Sequence, residues 1–220
     1  MIDKTDGKVS ILTNNHVIGN SNEGKPGDPI LQPGPYDIGR EDYDIKDYKI
    51  GELKRFVEIK WSTTCPFRKL YFKLVGKLDW ENLVDCALST VEVPYDPRSF
   101  ISGKVVQGVN LTPHVGDLVY KDGRTTCFTE GKIIDLHWSG YVYYGYYRKA
   151  YFVDQIAITS TTNKPFSQGG DSGSLVVDKD YRAVGLLFAG SDYMTIANKI
   201  KHVCELLKIE IKPLEGGGGG

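Results

Sequence analysis

The sequence predicts an all-β protein that ends in one α-helix, and two hydrophobic patterns indicate this. Apolar and polar residues alternate in segments such as Ile50–Trp61 and Lys149–Thr159, which is the two-residue period of a half-buried strand. Turn-forming Gly, Pro, Asn and Asp residues separate the segments. Near the C-terminus the period changes, and Ile200, Val203 and Leu207 share one face of a helix. Periodicity alone does not choose between a barrel and a sandwich.

The strands begin with the apolar run Val9–Leu12, and a short piece near Pro29–Gln32 lies within the otherwise irregular residues 19–47. The other predicted strands are bounded by turn residues and comprise Ile50–Trp61, Phe67–Val75, Val84–Val91, Val115–Tyr120, Thr129–Trp138, Lys149–Thr159, Gly173–Val177, Ala183–Gly190 and Tyr193–Ala197. Asn198 can cap the closing helix, since its side chain accepts from the first free N–H groups.

Chain length and composition suit one large globular domain or two small ones. The chain has 220 residues, of which 40% are hydrophobic and 25% charged. Two prolines fall within Val93–Ser99, and we take the segment running on to Ser102 as a linker. We therefore predict two halves, residues 1–97 and 98–213. Leu214 and Glu215, followed by five glycines, resemble an artificial linker, so residues 214–220 are left out of the fold.

Charge and cysteine usage exclude several partners and compartments. The net charge is −1, so nothing favours nucleic acid or an anionic membrane as a partner. No run approaches the roughly 18 apolar residues of a membrane span, and Met1–Asp6 lacks the apolar core of a secretory signal. The cysteines lack C-x-x-C spacing, which argues against a zinc or redox motif. We interpret them as free buried thiols in a reducing compartment, which predicts a cytoplasmic location, and a disulfide is the alternative. The cysteines are Cys65, Cys86, Cys127 and Cys204.

The stretch Gly169–Ser174 carries the residues for nucleophilic chemistry and reads Gly-Gly-Asp-Ser-Gly-Ser. A serine hydroxyl needs a base to take its proton and donors to stabilise the oxyanion it creates. The flanking glycines let the N–H groups of Gly170 and Ser172 point at one spot. The alternative interpretation is an ordinary Gly/Asp/Ser turn between two strands. The catalytic interpretation requires a histidine and a carboxylate elsewhere.

A histidine and a carboxylate both precede this serine. Thr13–Val17 reads T-N-N-H-V and puts His16 at the end of the first apolar run. Asp85 stands at the mouth of a predicted buried strand, where a carboxylate can accept a hydrogen bond from the histidine and fix its tautomer. Asp79 and Glu81 compete for that role, and we choose Asp85 because the strand holds it rigidly.

With the motifs T-x-x-H-V, D-x-A-L and G-D-S-G-S in this order, the chain resembles the chymotrypsin-like serine proteases, the trypsin superfamily, over about residues 8–208. Its low cysteine content resembles that of an intracellular microbial member. The resemblance implies two six-stranded antiparallel β-barrels and a C-terminal helix, with His16 and Asp85 in the first barrel and Ser172 in the second. It further implies a serine endopeptidase with an oxyanion hole at Gly170 and Ser172, and no metal or organic cofactor.

The resemblance also implies a specificity pocket. In trypsin-like members the pocket floor carries an acid about six residues before the nucleophile, and Phe166 occupies that position here. Substrate should lie extended beside Phe188, Ala189 and Gly190 as an added strand, while Met194 narrows the pocket. We therefore expect cleavage after a small or medium apolar residue.

A run of tyrosines is predicted to form a hairpin with aromatic cross-strand pairs. A stacking platform for single-stranded nucleic acid is the alternative, but only Arg148 and Lys149 supply positive charge close by. The run consists of Tyr141, Tyr143, Tyr144, Tyr146, Tyr147 and Tyr151.

The family pattern predicts an open sheet edge next to His16. The strand leading to the histidine is normally paired to an earlier strand, and Met1–Asp6 is too short and too polar to supply one. We therefore expect the first barrel to be incomplete along one edge of Val9–Leu12, which would be a template for another chain. Truncation or processing, or a strand from a partner or second copy, would account for such an edge.

Two other function classes remain open. A catalytically silent protein-binding module on the same fold would fail to react with a fluorophosphonate probe. An esterase of the α/β-hydrolase class would carry its serine on a strand–turn–helix ahead of the acid and the histidine. Here the serine comes last and a predicted strand follows it.

Overall fold

The computed structural model describes residues 1–39, 44–98 and 103–214, and most of the regular structure in them is β-sheet. The strands are β1 (Ile2–Asp3), β2 (Ile11–Thr13), β3 (Pro29–Leu31), β4 (Lys49–Phe56), β5 (Glu81–Asn82), β6 (Ala87–Ser89), β7 (Leu118–Gly123), β8 (Cys127–Tyr144), β9 (Arg148–Ser160), β10 (Leu175–Asp178), β11 (Ala183–Gly190), β12 (Thr195–Lys199) and β13 (Ile209–Glu210). The α-helices are α1 (Asn15–Ile18), α2 (Pro35–Ile38), α3 (Pro66–Leu74) and α4 (Ile200–Leu207). Residues 99–102 of the expected linker and 215–220 of the expected artificial tail lie outside the described residues, so the division into two halves stays a prediction.

The second half of the chain forms a closed barrel. Its strands follow the order β12-β11-β10-β7-β8-β9, and β12 also pairs with β9, which completes the ring. Closure removes the free edges that an open sheet would expose. The interior is filled by apolar side chains that include Val119, Ile133, Ile158 and Leu187. Strand β11 has the bounds that the sequence predicts, because its apolar run is buried over most of its length.

The first half forms an open sheet of four short strands in the order β2-β6-β4-β3. Strand β2 pairs with β6 on one side only, and within the described residues no strand lies along its other edge. The preceding Val9 forms an isolated bridge with Ile2, and the Ser10 N–H donates to the Met1 carbonyl at 2.9 Å. The expected fold class, all-β with an incomplete first barrel and a closing helix, is confirmed. The alternative of an α/β-hydrolase is wrong, since the chain after Ser172 continues into strand β10 of an antiparallel barrel and not into a helix.

Helix α4 packs where the two sheets meet. Val203 and Leu207 on its apolar face join Leu12 and Leu88 of the first sheet and Leu186 of the barrel in one buried cluster. Burying such side chains stabilises the fold by about 1.5–3 kcal/mol each. This shared core fixes the position of the first sheet, which carries the histidine, relative to the barrel, which carries the serine.

The prediction of a strand at Phe67–Val75 is wrong, because these residues form helix α3. Pro66 stands in the first turn of the helix, where its missing N–H costs nothing. The residues that follow include Lys, Arg and Leu, which are good helix formers, and only Phe72 is buried. Among the described helices, α3 included, none is long and apolar enough to cross a membrane.

All four cysteines are free, as the sequence analysis predicts. Cys86 is buried, and burial raises the pKa of its thiol. Cys204 of α4 is partly buried and packs against the apolar cluster that contains Cys86. Cys65 and Cys127 are exposed.

Candidate active site

His16 and Asp85 form a hydrogen-bonded pair at the edge of the open sheet. His16 lies in α1, directly after β2, and its Nδ1 is 2.6 Å from Asp85 Oδ2. The backbone N–H of His16 also donates to Asp85 Oδ1 at 3.1 Å. Asp85 is fully buried, whereas the His16 side chain is 21% exposed. Because a carboxylate only accepts, Nδ1 carries the proton and Nε2 is left as the basic nitrogen.

Two buried asparagines and the half-buried Tyr144 hold Asp85 in place. Asn14 Nδ2 donates to the Asp85 carbonyl at 2.7 Å, and Asn198 Oδ1 accepts from the Asp85 N–H at 3.0 Å. Tyr144 Oη donates to Asp85 Oδ2 at 2.9 Å. The expectation that Asn198 caps α4 is wrong, because Lys199 stands at that position and Asn198 is turned into the core, where it donates to Gln155. Sequence reasoning missed these positioning residues, although it had singled out the tyrosine run.

Tyr144→Phe should weaken the support of Asp85 without removing the His16 contact. Burial and the charge of Asp85 raise the pKa of Tyr144, so its hydroxyl remains a donor. Losing a hydrogen bond to a charged group should lower the free energy of unfolding by about 1.5–3 kcal/mol. The less neutralised carboxylate should also hold the imidazolium form of His16 more strongly, which moves the acid limb of the pH profile of kcat/KM to higher pH.

The matched control for this variant is Tyr151→Phe on the same hairpin. Tyr151 packs against Tyr141 with ring centroids 5.0 Å apart, and within the described residues its hydroxyl makes no contact with Asp85. An acid limb that stays in place for Tyr144→Phe, or moves equally for both variants, would contradict a positioning role for Tyr144.

The serine lies in a turn whose two candidate oxyanion donors are available. Within the described chain, neither the Gly170 N–H nor the Ser172 N–H donates to another group. Gly170 has a φ of +98°, and a Cβ there would come within 2.4 Å of Thr125 Oγ1 and 2.6 Å of Arg124 Nη1. Only glycine fits this position. The turn is attached to the barrel because the Gly173 N–H donates to the Leu187 carbonyl at 2.9 Å.

A buried ion pair between Lys121 and Asp171 holds the serine turn against the barrel. Asp171 accepts from Thr126 Oγ1 at 2.7 Å and from the Thr125 N–H at 2.8 Å, and its Oδ2 lies 3.7 Å from Lys121 Nζ. Both charged side chains are fully buried. Burial alone would raise the pKa of Asp171, but the hydrogen bonds outweigh it and lower that pKa. Burial lowers the pKa of Lys121, and Asp171 opposes this shift.

The two halves of the site are brought together without a hydrogen bond between His16 and Ser172 among the described residues. Their loops touch through Thr13 and Gly173: a Cβ on Gly173 would lie 2.1 Å from Thr13 Oγ1. Catalytic hydrogen bonds in unliganded sites are often long and tighten only when substrate binds. The His16–Asp85 pair and the serine turn, whose two N–H groups make no hydrogen bond within the described chain, therefore lie on segments that touch.

A pocket of about 500 Å³ lies on one side of Ser172. Ala189 and Gly190 line it as expected, but Phe166 does not, because its side chain is buried in the barrel core. The next residue, Ser167, lines the pocket instead and hydrogen-bonds Thr195 Oγ1 at 2.6 Å. None of the lining residues is a lysine, arginine or histidine.

A second groove, of about 870 Å³, contains His16. Phe188 and Met194 lie along it rather than in the pocket, and Ala189–Ser191 separate the two spaces. The hairpin of β8 and β9 forms the opposite wall, and it contains the predicted aromatic cross-strand pair, Tyr141 opposite Tyr151.

A third groove, of about 780 Å³, runs from Ser172 along the free edge of β2. We call it the open-edge groove. Its lining is rich in apolar side chains, among them Ile11, Ile18, Leu31, Phe128 and Leu175. Among the described residues, no group of three or more His, Cys, Asp or Glu is placed to hold a metal ion here or elsewhere.

Of three comparisons with known proteins, the search of solved structures found similar chains. A scan against protein-family models and a search of curated proteins gave no match. Among solved structures, the chain is similar to Nocardiopsis protease, with 15% identity over 96% of this chain and 88% of that one and a TM-score of 0.58. It is also similar to Cellulomonas bogoriensis chymotrypsin, with 17% identity, 92% and 85% coverage and a TM-score of 0.57. A glutamic acid-specific serine protease that uses a histidine triad in substrate binding gives 16% identity, 95% and 89% coverage and a TM-score of 0.56.

Proposed function

From the chymotrypsin-like fold that the chain shares with these proteases, we propose that it is a serine endopeptidase. The observation that carries the proposal is the hydrogen-bonded His16–Asp85 pair, together with a serine turn whose two N–H groups are unengaged. The strand before His16 touches this turn at Gly173. Each of these groups has a defined part in acyl transfer, and no metal or cofactor is needed for it.

In the proposed reaction Ser172 attacks the peptide carbonyl while His16 Nε2 takes its proton. Asp85 keeps the imidazole in the required tautomer and stabilises its charged form. The N–H groups of Gly170 and Ser172 bind the oxyanion, which is usually the largest electrostatic contribution. His16 then gives the proton to the leaving amine, and water releases the acyl group by the same steps in reverse order.

Substrate preceding the scissile bond should bind as an added strand beside Phe188–Gly190. Strand β11 is paired with β10 as far as Leu186, and Leu187 exchanges hydrogen bonds with the turn before β10. The residues after Leu187 have no partner on that side among the described residues. The pocket beside Ser172 favours an uncharged residue of small to medium size, since its lining offers no cation for an acid. Asp192 lies at the pocket as an exposed carboxylate, and a solvated charge contributes little to binding a base.

Substrate following the scissile bond should leave through the open-edge groove. Ser172 lines both this groove and the specificity pocket, so a chain that fills one continues into the other. The free edge of β2 can supply main-chain hydrogen bonds, and the apolar walls suit apolar side chains. This assigns the open edge to substrate rather than to a second copy. The four free cysteines support the proposal of a cytoplasmic location.

A fluorophosphonate probe and a peptide library varied on both sides of the cleaved bond test the function together. We expect covalent labelling, cleavage after small or medium apolar residues, and higher kcat/KM when apolar residues follow the bond. A profile dominated by Lys, Arg, Asp or Glu before the bond would reject the specificity. Absence of both labelling and cleavage would favour a silent binding module, for which the missing His16–Ser172 hydrogen bond is the supporting observation.

A further inference from the structure

Helix α3 carries a stripe of large apolar side chains that faces solvent. Phe67, Leu70, Tyr71 and Leu74 recur at the spacing that puts side chains on one helix face. Their exposed fractions are 82%, 56%, 56% and 77%, and Leu78 just beyond the helix is 71% exposed. Contiguous apolar patches of this kind mark interaction surfaces.

The stripe points outward because the helix is held by another face. Phe72 is only 3% exposed, and its ring packs against Trp80 with centroids 5.0 Å apart. Asp79 Oδ1 ties the two ends of the segment together, since it accepts from the Trp80 N–H at 2.8 Å and from the Thr63 N–H at 3.4 Å. Packing therefore fixes the direction in which the apolar stripe is presented.

The charged residues around the stripe all have the same sign. Residues 61–78 contain no Asp or Glu, and their four exposed basic residues are Arg68, Lys69, Lys73 and Lys77. The helical period puts Arg68 on one flank of the stripe and Lys73 on the other. Lys77, beyond the C-terminal end of α3, pairs with Glu81, and its Nζ lies 3.1 Å from Glu81 Oε2. The net charge of the whole chain conceals this local excess.

We propose that α3 docks the protein on an anionic lipid surface. The apolar stripe enters the boundary between headgroups and acyl chains, and the flanking basic residues face the lipid phosphates. A groove on another protein would match the apolar stripe but would leave the one-sided charge without a role. The helix has nine residues, so the binding is peripheral and reversible. The expectation of no membrane partner was based on the net charge of the whole chain. That net charge does not reflect the local excess of basic residues around α3.

Vesicle flotation of the full chain tests this, with phosphatidylcholine vesicles and with phosphatidylcholine vesicles that contain phosphatidylserine. Wild type should float with the anionic vesicles and at least about tenfold less with the neutral ones. Phe67→Ser with Leu74→Ser should reduce partitioning about tenfold or more. Arg68→Gln with Lys73→Gln, which removes the two flanking charges, should reduce it about fivefold for each charge removed.

Matched controls are Leu111→Ser, which truncates a side chain that is 56% exposed elsewhere, and Lys132→Gln, which removes an exposed charge from the barrel. Both should bind like wild type, and circular dichroism should show an unchanged fold for all variants. No flotation of wild type, equal binding to neutral vesicles, or equal losses in the controls would overturn the proposal. The proposal would also be overturned if wild type did not bind vesicles and instead formed a concentration-dependent dimer. Dissociation of that dimer by Phe67→Ser with Leu74→Ser would show that a second copy covers the stripe.

Discussion

Ser172→Ala is expected to reduce kcat by about 10⁴- to 10⁶-fold and to abolish labelling by fluorophosphonate probes. The hydroxyl is the only nucleophile in the proposed mechanism, and no other group in the cleft replaces it. Among the described residues it makes no hydrogen bond, so its removal should leave the melting temperature unchanged. Peptide turnover and thermal unfolding, measured on the same preparation, check both parts.

The control for this variant is Ser174→Ala, in the same motif. Ser174 Oγ donates to the Asp171 carbonyl at 2.6 Å and so has a structural rather than a nucleophilic part. It should remain labelled, with a modest loss of stability of about 0.5–1.5 kcal/mol. If Ser172→Ala kept wild-type turnover, the proposed function would be wrong.

Asp85→Asn should lower kcat by about 10⁴-fold while leaving the serine in place. An amide can donate as well as accept, so it no longer compels the proton of His16 to sit on Nδ1. With the proton on Nε2 the histidine cannot act as a base. Steady-state kinetics on a peptide substrate measures the loss, and structure determination of the variant checks that His16 has not moved.

Asp79→Asn is the informative comparison, because Asp79 is the other buried carboxylate that the sequence offers for this role. It contacts the Thr63 and Trp80 N–H groups and not His16. Its replacement should change kcat less than tenfold. A loss in Asp79→Asn that equals the loss in Asp85→Asn would mean that the wrong acid has been assigned.

Local sequence patterns were sufficient to predict part of the fold and of the candidate site. The apolar run at Ala183–Gly190 specified its strand, and the motif around Ser172 specified a glycine with positive φ at Gly170. Asp85 could be chosen over Asp79 because a following buried strand is visible in the sequence. The contact between Asp85 and His16 then requires only that β6 and β2 be neighbours, which they are.

One miss has a local cause, and tertiary contacts decided the others. Phe67–Val75 fits a helical period as well as an alternating one, and Pro66 selects the helix. Asn198 has a good capping side chain, but a buried site beside Asp85 competes for it. Phe166 is displaced from the pocket by one residue, because the chain between barrel and turn has a length that a distant resemblance does not fix. Tyr144 reaches Asp85 from the β8–β9 hairpin, which is distant in sequence, and no local sequence pattern predicts this hydrogen bond.

The ion pair between Lys121 and Asp171 has a consequence for how the serine turn is formed. Both residues belong to one barrel, so the turn that carries the nucleophile is shaped as soon as that barrel folds. No cut elsewhere in the chain has to create the partner for Asp171. Under the function proposed above, folding of this barrel alone would give the serine turn its shape.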